Sequence, residues 1–211
     1  MLAFYHTPMS CSTASHIALE ECAETYSRHR IRLYKPDEHA AYKRDVNPLG
    51  TVPALQTERG LLTENLAIMC YLADRNPQLQ LLPLDNFERA QCLSFLSWIA
   101  SSAQIARRQS RAPQRFTDDE AAYPGLSSSG AIKFKACVAR IEERLANSSW
   151  IMGEQYTVAD GYALVVYHWA LLDNLDMTLY PHFSAHLQRM LQRPAVRRAL
   201  VEEKCRLLEL E

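Results

Sequence analysis

Cys11 stands where a short apolar run, residues 2–7, gives way to a helical pattern, and it is flanked by Ser10 and Ser12. At such a junction the unpaired N–H groups and the dipole of a helix start favour an anion, and a thiol placed there is biased toward thiolate. The helix end contributes about 0.3–1 kcal/mol, less than the roughly 1.4 kcal/mol that one pKa unit represents. Hydroxyl groups from Ser10 or Ser12 would have to add hydrogen bonds. A fall in thiol pKa from about 8.5 to about 6.5 raises the thiolate fraction at pH 7 roughly 25-fold, and weakened nucleophilicity takes back about 8-fold. Positioning of a second reactant must therefore supply most of any acceleration. The plain alternative is that Cys11, one of six cysteines, is a small buried hydrophobe.

Other residues could serve such a sulfur. Tyr5 and His6 end the first apolar run, as donor or proton acceptor, or equally as core residues. Pro53 opens a short strand, where its missing N–H is tolerated. Glu64 and Asn65 stand at a helix start, where Thr63 or Asn65 reads as a cap and Glu64 favours the dipole. Lys35 follows the second strand, and a solvated lysine is one reading of it. Arg107, Arg108, Arg111 and Arg115 cluster near a predicted helix end; Arg108 and Arg111 share a face with Gln104, and Arg115 lies beyond Pro113. A solvated or subunit-contacting face is the default, and a face lining a cleft would favour ligands with carboxylates.

The elements that must position these residues divide the chain in two. Residues 2–7 read as a buried strand, 11–24 as a helix, and the alternation of Ile31 and Leu33 with Arg30, Arg32 and Tyr34 as a strand. Residues 39–45 suggest one or two helical turns before the turn signal Asn47-Pro48-Leu49-Gly50. Residues 53–57 and 61–63 flank Glu58-Arg59-Gly60 as a hairpin, and 65–76 are helical. The order β-α-β-α-β-β-α is a small mixed sheet covered by helices. Beyond a connector at 77–84 no strand is evident. Asp85 to Glu88 is a capping box opening a long helix to about Arg111, stopped by Ala112-Pro113. Residues 117–130 are loop-like. Phe134, Val138, Ile141 and Leu145 recur at helical intervals, Thr157-Val158-Ala159-Asp160 opens another helix with a structural cap, and Pro194 begins the last.

The motifs Pro8-Met9-Ser10-Cys11-Ser12, Asn47-Pro48-Leu49-Gly50-Thr51-Val52-Pro53-Ala54-Leu55, Leu62-Thr63-Glu64-Asn65 with Ala67-Ile68 and Tyr71-Leu72, and Thr157 to Asp160 occur in this order along the chain. Together they resemble the cytosolic glutathione transferases, most closely the bacterial Beta class, over essentially the whole length. The resemblance implies a thioredoxin-like N-terminal domain (1–78), a linker (79–86), an all-α helical domain (87–211) forming the electrophile site, a homodimer, and glutathione as cosubstrate. It implies a cis Val52–Pro53 bond that turns the Val52 backbone toward the peptide. It also implies a γ-glutamyl site at Glu64 and Asn65, and a glycyl carboxylate within reach of Lys35. Beta enzymes usually carry a histidine where Gln104 stands here, so acid–base help from that position is lost, and His6 is a substitute to consider. The catalytic candidates are Cys11, Ser12 and His6, and the second-substrate candidates Gln104, Arg108 and Arg111. The expected activity joins glutathione to hydrophobic or anionic electrophiles. Thiol–disulfide or peroxide reduction through Cys11, and a non-catalytic binding role, are the alternatives.

Composition excludes other classes. Lys plus Arg is 23 against 24 for Asp plus Glu, a net charge of −1, which gives no general reason to bind nucleic acid or an anionic membrane. No cysteine pair has zinc or two-cysteine redox spacing, and His182 and His186 lack the intervening Glu of a metalloprotease, so no metal is expected. No signal peptide or membrane-spanning run is evident, and a cytoplasmic, thiol-reducing setting is expected.

Overall fold

The structure, a computed structural model, describes residues 1–210. β1 (Leu2–His6) lies inside a four-stranded sheet of order β2-β1-β3-β4, parallel to β2 (Tyr26–Arg30) and antiparallel to β3 (Ala54–Thr57), which pairs with β4 (Gly60–Thr63). Leu2, Phe4 and His6 alternate inward along β1, the period-two consequence of strand geometry. α1 (Ser12–Glu21) and α3 (Asn65–Arg75) pack against each other. Tyr5 points the other way and meets Tyr42 of α2 (Pro36–Asp45), ring centroids 5.9 Å apart.

The second strand lies earlier than the Ile31/Leu33 alternation suggests. Its parallel register places Leu2 opposite Tyr26 and His6 opposite Arg30. β1 ends at His6, so residues beyond Ile31, whose N–H donates to His6 O at 2.7 Å, have no strand to pair with. Being an edge strand, β2 also exposes Arg28, His29 and Arg30 and shows no apolar alternation of its own.

The second half is helical, from α4 (Asn86–Trp98) and α5 (Gln104–Arg111) through α6 (Tyr123–Leu145), α7 (Val158–Leu172), α8 (Pro181–Leu191) and α9 (Pro194–Glu203). The long helix expected over 85–111 runs without a break from Asn86 to Arg111, with a five-residue π turn, Ile99–Ala103, set between its α4 and α5 portions. α6 begins at Tyr123, inside the stretch read as loop. Pro124 fits the first turn of a helix, and Gly130 allows α6 to press on α5: a Cβ there would lie 2.5 Å from Ser110 N and 2.7 Å from Ala106 O. α7 is buried from Val158 to Ala170, and α1 packs against both α7 and α9, joining the halves through one continuous apolar core. Asp160 accepts the Thr157 and Ile151 N–H groups, both at 2.8 Å, and lies 3.0 Å from His186 Nε2, so the cap is a structural knot.

Candidate active site

The loop between β1 and α1 is held by its own hydroxyls. Ser10 donates to Thr7 O at 2.7 Å, Ser12 donates to Thr7 O at 3.0 Å, and the Thr7 N–H donates to Ser12 Oγ at 3.2 Å. Met9 takes a positive φ of 57°. The Cys11 thiol donates to Val52 O at 3.3 Å across the cleft. Burial pushes this thiol up to about 11, against the pull of the Arg108 charge and the Ser10 hydroxyl. The helix-start bias toward thiolate is overridden, and Cys11 rests as a neutral hydrogen-bond donor.

The cleft around this sulfur has two lobes, of about 630 Å³ and about 230 Å³. Cys11, Thr51, Val52, Gln104 and Arg108 line both, so the sulfur sits where they meet. The Val52–Pro53 bond is cis. In the smaller lobe Glu64 is exposed with φ at 69°, an uncommon conformation for a residue with a side chain, and it leads directly into α3. Asn65 is buried, donating through Nδ2 to Cys11 O at 2.8 Å and accepting the Ser15 hydroxyl at 2.6 Å. Its amide fixes the Cys11 backbone, which leaves the α3 N–H groups, uncapped by any side chain, to meet an anion. The larger lobe carries Arg107, Arg108, Arg111, Arg115, His39 and Trp169.

The structure thus brings together Cys11, Val52, Pro53, Glu64, Asn65, Gln104, Arg108 and Arg111 along one cleft. It does not bring His6, Ser12 or Lys35 into it. His6 is buried between Phe4 and His16, with ring centroids 5.3 Å and 5.6 Å away. Ser12 is fully buried and engaged with the loop backbone. Lys35 sits outside both lobes with its amine 3.6 Å from Glu38.

Glu203 was not singled out from sequence. It lies at the end of α9, where Oε2 accepts the Met9 N–H and the Thr13 hydroxyl, each at 2.7 Å, and Oε1 lies 2.7 Å from His16 Nδ1. Burial alone would raise its pKa; these bonds outweigh it and hold the carboxyl near 2. Val196, Ala199, Leu200 and Glu203 follow helical spacing, so an acidic residue on the buried stripe was the available signal. His6, His16 and Glu203 gather three potential metal-ligand atoms, and the 2.7 Å His16–Glu203 contact has the length of a proton-bearing hydrogen bond.

Residues 8–75 match the glutathione S-transferase N-terminal domain family, and residues 103–189 the glutathione S-transferase C-terminal domain family. The chain is 33% identical over 209 residues to glutathione S-transferase GstA of Escherichia coli O157:H7, covering 96% of this chain and 98% of that one. Among solved structures it resembles a glutathione transferase homologue from Sulfitobacter with bound glutathione (TM-score 0.86, 30% identity, 97% of this chain and 98% of that one). It also resembles a sphingomonad glutathione S-transferase complexed with glutathione (TM-score 0.83, 33% identity, 96% and 98% covered).

Proposed function

Since this chain belongs to the glutathione S-transferase family, we propose that it seats glutathione in the smaller lobe and transfers its sulfur to a hydrophobic or anionic electrophile held in the larger one. The observation that carries this reading is the place of Cys11 Sγ at the junction of the two lobes, as a neutral donor. The γ-glutamyl carboxylate meets the uncapped start of α3 and its dipole, and the ammonium group meets Glu64. The Val52 backbone pairs with the peptide as a strand edge. Lys35 serves the glycyl carboxylate once it leaves Glu38. The Cys11 thiol turns from Val52 O to the cosubstrate sulfur and stabilises its thiolate by donating a hydrogen bond. Arg108 adds positive charge beside it. In the transfer a carbon–sulfur bond forms, the electrophile's leaving group departs with its bonding pair, and the glutathione thiol proton passes to solvent. Gln104 has no basic site to take it.

Thiol–disulfide exchange through Cys11 needs a thiolate at that sulfur, and burial opposes one. The same reading takes residues 1–78 as the glutathione domain, 79–86 as linker and 87–211 as the electrophile domain, in a cytoplasmic, Beta-like homodimer engaged in detoxification. The deciding measurement is retention on immobilised glutathione together with turnover of 1-chloro-2,4-dinitrobenzene. Retention and turnover, both weakened in Cys11→Ala, support conjugation. Mixed-disulfide formation on Cys11 with hydroxyethyl-disulfide turnover supports the exchange reading. A chain that neither binds nor reacts supports a binding role without catalysis.

A further inference from the structure

The larger lobe is lined by four arginines and a histidine, and no carboxylate lines it among the described residues. The whole chain is nearly neutral at −1, so this is a local concentration of positive charge. Behind the wall stands one acid, Asp173. Arg107 binds it through two bonds, 2.9 and 3.0 Å, with its guanidinium carbon 5.2 Å from the Trp169 ring centroid. Arg111 reaches the same carboxylate at 3.6 Å. Arg108 and Arg115 have no carboxylate within ion-pair distance among the described residues. Arg108 also lines the smaller lobe beside Cys11, at the place where the two reactants must meet. A pocket for wholly apolar electrophiles gains nothing from guanidinium groups left without counter-charges, which attract anions instead. The glycyl carboxylate of glutathione answers at most one of them.

We infer that the second substrate is an electrophile bearing at least one carboxylate on an apolar frame. Arg108 and Arg115 hold the carboxylate, and Leu33 and Leu49 offer the apolar wall. This rests on the transferase reading above and narrows its substrate class. With an activated aryl chloride the glutathione sulfur bonds to the ring carbon, the carbon–chlorine bond breaks, chloride leaves with the pair, and the thiol proton goes to solvent.

The test is a matched pair of such compounds, 4-chloro-3,5-dinitrobenzoate and its methyl ester, assayed with glutathione on the wild-type protein and on the Arg108→Gln/Arg115→Gln double variant. The expected result is a KM for the acid about tenfold or more below that of the ester, a preference that weakens as salt is raised. In the double variant the ratio of the two KM values should fall by about tenfold. Equal KM values in the wild type, or an unchanged ratio in the double variant, would overturn the inference. The transferase reading stands or falls with the 1-chloro-2,4-dinitrobenzene assay above; if neither compound of this pair reacts, calorimetric titration of the two into the glutathione-loaded protein decides the charge question by itself. Tighter binding of the acid, lost in the double variant, upholds it; equal binding of acid and ester refutes it.

Discussion

The Tyr162 hydroxyl donates to Gln104 Oε1 at 2.8 Å, joining α7 to the first residue of α5 at the mouth of the smaller lobe. Burial raises the Tyr162 pKa further above its ordinary value, so neither partner exchanges a proton near neutrality. The bond occupies the amide oxygen and leaves Nε2 as the free donor of Gln104. Tyr162→Phe should lower stability by about 0.5–1.5 kcal/mol, seen as a lower midpoint in denaturant. It should also raise KM for the second substrate severalfold through a loosened Gln104.

If Cys11 acts by donating a hydrogen bond, Cys11→Ser keeps a donor and Cys11→Ala removes it. Conjugation kcat/KM should drop about tenfold or more in the alanine variant, in line with loss of one hydrogen bond to a charged sulfur. The serine variant should stay well above it. Equal loss in both would point to a covalent role for the sulfur.

Glu203 binds the β1–α1 loop to α9, and its carboxyl is held near 2 in the folded protein. An acid with a depressed folded pKa contributes stability that is present above its unfolded value of about 4.3 and is lost as pH falls toward the folded one. Thermal melts of the wild type should therefore weaken steeply between about pH 4.3 and 2. Glu203→Gln should be less stable at pH 7, by about 3 kcal/mol, with a shallower acid slope.

His168 shows the opposite chemistry. Burial, aided by the Arg107 charge, lowers its pKa to about 4, so between about 6.5 and 4 the unfolded chain binds a proton that the folded chain refuses. Stability must fall on acidification across that window. His168→Leu should flatten the dependence by up to about 1.4 kcal/mol per pH unit, read from denaturant midpoints at pH 6.5, 5 and 4.

Gly130→Ala drives a methyl into the α5 backbone at Ser110 and Ala106. The overpacking should cost about 1–3 kcal/mol, and because α5 carries Gln104 and Arg108, KM for the second substrate should rise together with the loss of stability. Circular dichroism melts and steady-state kinetics on the same preparation check both.

The hairpin, the position of Cys11 and the Thr157–Asp160 cap are legible because each rests on a local rule: turn chemistry, a strand-to-helix junction, a capping spacing; the cis Val52–Pro53 bond follows only from the family resemblance. The second strand was misplaced because its identity comes from the length of β1, which pairing reveals and Ile31 and Leu33 do not. Residues 123–130 read as loop because glycine and serine usually mark one; here Gly130 exists for close helix approach. The neutrality of Cys11 is a property of burial, a tertiary quantity that motif spacing does not carry. His6 is near Cys11 in sequence, but packing turns its ring toward Glu203, 3.5 Å away, instead of toward the sulfur.

The π turn at Ile99–Ala103 has a bearing on how such a cleft could change its preference. A wider turn holds one residue more than an α-helical one, and each residue turns the helix by about 100°. Loss of a single residue there would rotate α5 by about 100° against α4 and carry Arg107, Arg108 and Arg111 away from their present facing without altering one side chain. The direction this wall faces is thus fixed by one backbone turn as firmly as by the identity of its side chains.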